Sequence, residues 1–135
     1  MGYSKTFEPM SLNSSGAILG SSDLLRGLPV GAYSKVKWFT VITDLGATNY
    51  LTMSFDYKCD AGQTTFWKLY INGVYSGHGG SDGGTGAFIT VTLPYTWVVP
   101  KMGDTFEIWA YCTNATGSLQ NFRILAVASP VTPNE

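Results

Sequence analysis

From Ser34 onward the chain alternates apolar and polar residues with a period of two, and a pattern of that kind commits it to strands with one buried face. Leu51, Met53, Phe55 and Tyr57 alternate with Thr52, Ser54, Asp56 and Lys58. Phe106, Ile108, Ala110 and Cys112 alternate in the same way with Thr105, Glu107, Trp109 and Tyr111. Between them, Trp67, Leu69 and Ile71 share a face of a third run, which ends at Asn72-Gly73. That dipeptide is the strongest hairpin signal in the chain, because both residues tolerate positive φ. Helical periodicity is confined to one candidate turn over 22–27, with Ser22 or Asp23 as cap and Gly27 and Pro29 as stops.

The remaining runs complete the pattern. Lys35–Thr43, Phe88–Leu93 and Gln120–Ala128 read as strands, with Pro94 placing the segment after it at a bend or an edge. Val74–Ser76 reads as a short return strand, and Gly77–Gly86 as a loop too flexible to order itself without a partner. Upstream, a strand is expected around Tyr3–Leu12. The stretches 11–16 and 20–22 are too polar and glycine-rich for regular structure. The expected organisation is an N-terminal strand and extended polar arm over 1–33, a sandwich over 34–128 and a flexible tail over 129–135. About eight strands separated by turns describe an all-β, antiparallel two-sheet sandwich. At 135 residues this is one domain. Surface scaling leaves roughly 7,000 Å² exposed and buries about two thirds of the chain's surface, a core that needs no metal or disulfide.

Charge narrows the partners. Lys and Arg number 8, Asp and Glu 9, and charged residues make up 13% of the chain, about half the usual share. A net charge of −1 without a basic cluster offers nothing to a phosphate backbone or an anionic membrane, so neither nucleic acid nor membrane is an expected partner. No stretch has the apolar length of a membrane-crossing helix. Met1–Pro9 shows no apolar signal segment, and Met1-Gly2 alone makes no case for acylation. An extracellular destination is therefore expected to be reached by release with a virion rather than by secretion.

Catalytic chemistry is sparse. The one histidine, His78, sits among glycines, where it reads as an exposed loop residue. Asp44, Asp60, Asp82 and Asp104 fall in or beside turns, where Asp bonds to its own backbone, so a paired-carboxylate site is not expected. Asp82 lacks a second acidic ligand nearby for Ca²⁺, and the glycine-rich stretch lacks the Lys-Ser or Lys-Thr of a phosphate loop. No enzyme, cofactor or metal is expected. The sequons at Asn13 and Asn114 matter only in a host that glycosylates.

Two groups stand out. Alternation puts Cys59 and Cys112 on inward faces at strand ends, where they either close a disulfide or pack as separate buried thiols. The same alternation leaves Phe66 and Tyr70 on one strand and Trp109 and Tyr111 on another facing outward, with Trp97 as a further candidate. An exposed aromatic patch reads as a stacking platform for sugar rings, as a surface packed against other subunits, or as a sheet face covered by the N-terminal arm.

An immunoglobulin domain fits poorly, because Ala110 stands where a Tyr is wanted two residues before the second Cys. Thr105–Ala110 after Gly103-Asp104, Lys68–Val74 upstream and a closing Gln120–Ile124 strand resemble the small jelly-roll modules of phage and archaeal-virus virions and of carbohydrate-binding modules, over roughly residues 34–128. The resemblance implies a jelly roll, and fold alone leaves the task open. Taken with the low charge and the outward aromatics, the expectation is a non-enzymatic structural protein at a virion surface, a minor capsid, decoration or tail-associated subunit. It would self-associate as a trimer or larger and contact other virion proteins. The alternative is a carbohydrate- or receptor-binding module that uses the aromatic platform.

Overall fold

A computed structural model describes residues 18–42, 50–96 and 101–127. They form nine strands: β1 (Ile18–Ser22), β2 (Arg26–Gly27), β3 (Ser34–Thr40), β4 (Tyr50–Lys58), β5 (Thr64–Ile71), β6 (Val74–Gly83), β7 (Ile89–Thr96), β8 (Thr105–Cys112) and β9 (Ser118–Val127). One sheet runs β1-β9-β4-β7 with β2 also on β9, and the other runs β3-β8-β5-β6; their ladders are antiparallel. With β1 and β2 counted as one edge, the sheets hold the first, eighth, third and sixth positions and the second, seventh, fourth and fifth. That is the strand order of a jelly roll.

The alternating residues meet between the sheets. Met53, Phe55, Leu69, Phe106, Ile108 and Phe122 are fully buried there. Phe55 of one sheet meets Trp67 of the other edge-on, ring centroids 5.4 Å apart, and Phe39 packs on Phe122 at 5.0 Å. The Asn72-Gly73 turn has φ of 54° and 79°, as a tight two-residue hairpin requires. Its side chain is also tied down: Thr105 N–H donates to Asn72 Oδ1 at 2.9 Å, and Asn72 Nδ2 donates to Asp104 Oδ1 at 3.1 Å. Asp104 in turn accepts the Lys101 N–H at 2.8 Å, the turn role expected of it.

Three segments differ from the sequence expectation. Ile18–Ser22, read as part of a polar loop or arm, is strand β1, because β9 supplies the hydrogen-bonding partner that polar residues do not supply themselves. No helical turn forms at 22–27, where Arg26 and Gly27 pair with β9 instead. The glycine-rich stretch is mostly strand: β6 extends to Gly83, paired with β5 from Ile71 to Thr64. A Cβ on Gly80 would lie 3.0 Å from the Trp67 ring, and one on Gly79 would lie 2.9 Å from the Trp67 carbonyl oxygen. Those glycines let an edge strand lie close against a tryptophan, which is packing and not looseness. His78 is accordingly half-buried within β6 and not on a loop, and Asp82 accepts the Trp67 indole N–H at 2.8 Å. The expected strand at Tyr3–Leu12, the tail over 129–135, and Trp97 lie outside the described residues.

Lys37 is buried, 2% exposed, and its ammonium donates to Ser22 Oγ at 3.0 Å. Burial pushes its pKa down, with nearby Arg26 adding and Asp23 opposing. An unfolded Lys37 keeps its proton to higher pH, so this residue's contribution to stability rises with pH between the two values. Lys37→Met should therefore raise the unfolding midpoint by about 4 °C, roughly 1 kcal/mol, at neutral pH. The gain over wild type should shrink on titration toward the alkaline end. Calorimetry of both proteins across pH checks this, and a variant less stable than wild type at every pH would refute it.

Candidate functional site

The registers of β6, β5, β8 and β3 align outward-facing residues in rows across the sheet. The first row is Ser81, Phe66 and Tyr111; the second is Gly79, Lys68, Trp109 and Lys35; the third is Tyr75, Tyr70, Glu107 and Trp38. The alternation of β5 and β8 forces this, since their odd or even partners fill the core. Phe66, Tyr70, Trp109 and Tyr111, singled out from the sequence, thus share one face.

The rings touch one another. Phe66 and Tyr111 stack with centroids 4.8 Å apart and planes 16° from parallel, as directly opposed cross-strand residues can. Tyr33, just before β3, meets Tyr111 edge-on at 4.8 Å. Tyr70 lies 4.9 Å from Trp109 and 5.8 Å from Tyr75. At the margins Trp38 and Tyr75 are the exposed members, while the central rings are half-buried against their neighbours.

Charges are set among the rings. The Trp109 indole N–H donates to Glu107 Oε1 at 2.9 Å, and Lys35 Nζ lies 3.7 Å from Glu107 Oε2 and 4.6 Å from the Trp38 ring centroid. Lys68 Nζ sits 4.5 Å from the Tyr33 ring and 5.1 Å from Tyr75, cation–π distances. Among the described residues it has no ion pair. Burial, with Tyr111, Tyr75 and Tyr70 adding, raises the Tyr33 phenol above its ordinary pKa, so it stays an O–H donor. Where Gly79 and Gly80 offer no side chain, a shallow open groove of about 280 Å³ forms, walled by Tyr33, Phe66, Lys68 and Tyr75.

This arrangement can stack and hydrogen-bond a ligand. Among the described residues, no three His, Cys, Asp or Glu side chains gather as metal ligands, and Glu107 is the one carboxylate in the three rows. Sequence reasoning missed Tyr33, Trp38, Tyr75, Lys68 and Lys35. Tyr75 was legible, because a two-residue turn at Asn72-Gly73 sets it opposite Tyr70. Trp38 was not: the β3 register slips between Lys35 and Lys37, burying Val36 and Lys37 in succession and turning Trp38 outward.

No family model and no curated protein matches the chain. Solved structures do resemble it. A CBM35 from Paenibacillus barcinonensis is 18% identical with a TM-score of 0.46, over 84% of this chain and 94% of that one. The CBM36-1 domain of a multidomain xylanase from the hindgut metagenome of Trinervitermes trinervoides is 13% identical with a TM-score of 0.48, over 88% and 95%. Dimeric latent PorU from Porphyromonas gingivalis is 14% identical with a TM-score of 0.43, over 86% of this chain and 13% of that one. None of these three is a virion protein. At such scores the likenesses carry no functional argument, and what the aromatic face binds has to follow from its own residues.

Proposed function

We propose that the chain is a non-catalytic binding module that holds a carbohydrate on the outer face of the β3-β8-β5-β6 sheet. The observation that carries this is the mixture within the rows: Lys68 and Glu107 stand between the rings and not around them, with Lys35 closing the middle row on the edge strand. The centre of a protein–protein interface is depleted in Lys and Glu. A sugar ring presents the opposite demand, a C–H face for an aromatic ring and hydroxyls at its rim for charged and phenolic groups. The groove beside Phe66 and Lys68 gives such a ring a wall and a donor together. The virion-surface reading draws on the low charge, the outward aromatics and the jelly roll; the aromatics serve a sugar equally well, and the fold hosts unrelated tasks.

Affinity electrophoresis against a panel of soluble polysaccharides, with light scattering at the same protein concentrations, tests the proposal. At least one polysaccharide should retard the protein, and Phe66→Ala, which removes one groove wall, should weaken that binding about tenfold. If no polysaccharide binds and the protein instead forms a trimer or larger that Phe66→Ala dissociates, the face belongs to self-association and the proposal fails.

A further inference from the structure

The two cysteines belong to strands of different sheets, Cys59 just past the end of β4 and Cys112 at the end of β8, yet four contacts bring them together. Thr65 is the cross-strand partner of Cys112, and its hydroxyl donates to Cys59 Sγ at 3.4 Å. Directly opposed side chains in an antiparallel pair have Cβ atoms about 5 Å apart, so the two thiols flank one threonine. Lys58 pairs with Ser118, and the Asp60 N–H donates to Thr116 Oγ1 at 3.1 Å, so the chain leaving Cys59 rests on the loop leaving Cys112.

Two glycines close the site. A Cβ on Gly84 would overlap the Cys59 and Asp60 carbonyl oxygens and stand 2.5 Å from Cys59 Sγ, and one on Gly117 would overlap Cys112 Cβ and stand 3.0 Å from its Sγ, so the chain packs directly on both cysteines because these positions carry no side chain. Both thiols are buried and unbonded. Burial pushes the Cys59 thiol up against the lowering effect of the Thr65 hydrogen bond, and Cys112 adds to the rise as a direct neighbour.

We infer that Cys59 and Cys112 form a dithiol site that closes to a disulfide between the sheets when a small-molecule disulfide is present as oxidant. When local opening exposes the site, one cysteine loses its proton and its thiolate attacks oxidised glutathione, forming a mixed disulfide and releasing one glutathione thiolate. The second cysteine thiolate attacks the mixed disulfide, forming the Cys59–Cys112 bond and releasing the second. The two protons leave the cysteines for the released thiolates, so the cysteines are oxidised by two electrons and glutathione is reduced by two. The bond closes a loop containing β5 to β8, and constraining so long a loop in the unfolded chain stabilises the fold.

The test incubates the reduced, folded chain with oxidised glutathione, then blocks free thiols in denaturant and maps peptides by mass. A Cys59–Cys112 cross-link within one chain, with the unfolding midpoint raised by about 10 °C and returned by reductant, is the expected result. Cys112→Ala treated in the same way should show no such rise. The inference is overturned if both thiols stay free, if glutathione adducts or chain-to-chain bonds accumulate instead, or if the bond closes without raising the midpoint. None of these readouts depends on what the aromatic face binds.

Discussion

Phe55→Ala should lower the unfolding midpoint by about 10–20 °C, corresponding to a loss of roughly 3–5 kcal/mol. Phe55 is 0% exposed, belongs to the central strand β4 between β9 and β7, and crosses to Trp67 of the opposite sheet. Deleting its ring removes the transfer free energy of a large buried side chain and opens a cavity. The surrounding strands cannot collapse into that space without breaking register, because a one-residue slip would turn every side chain of a strand to the other face. Val74→Ala is the matched control: 68% exposed, it should stay within about 0.5 kcal/mol of wild type. Thermal unfolding by circular dichroism measures both. A Phe55→Ala midpoint within about 3 °C of wild type would mean that the sheets are not packed through this ring.

The positions of Phe55 and Trp67 were legible because each lies in a strand whose alternation is unbroken and whose one face is buried. Met53, Phe55, Tyr57 and Cys59 are all buried as the period-two pattern demands, as are Phe106, Ile108, Ala110 and Cys112. Legibility stops where the backbone changes phase or where a residue's role depends on a strand distant in sequence. The slip between Lys35 and Lys37 inverts the second half of β3, and no residue in Ser34–Thr40 announces a bulge. Gly79 and Gly80 look like flexibility until Trp67 is placed beneath them. Gly20, Ser21 and Ser22 look like coil until β9 lies alongside.

The aromatic face was half legible for the same reasons. Phe66, Tyr70, Trp109 and Tyr111 follow from alternation on β5 and β8, whereas Trp38 needed the bulge. Lys68 was a charged residue on an outward face until its cation–π geometry showed that it stands among the rings and not in bulk solvent. Tyr33 lies outside any strand and joins the face through its contacts with Tyr111 and Lys68.

Trp109→Ala should weaken glycan binding by about thirtyfold, some 2 kcal/mol, with the fold retained. Trp109 occupies the middle row between Lys68 and Lys35, touches Tyr70, and fixes Glu107 through its indole N–H. Its loss removes the central stacking surface and frees a carboxylate oxygen that the indole had oriented, leaving Glu107 to turn toward Lys35 alone. Trp38→Ala removes the same chemistry from the margin, where the ring is 50% exposed and its cation contact is with Lys35. Rings at a rim contribute less than rings at a centre, so that variant should lose no more than about threefold. Titration calorimetry with whichever polysaccharide wild type binds gives both numbers, and circular dichroism confirms that each variant is folded. A folded Trp109→Ala protein that binds as tightly as wild type would move the sugar off this face. Equal losses for Trp109→Ala and Trp38→Ala would replace a central subsite with a ligand lying across the whole width of the sheet.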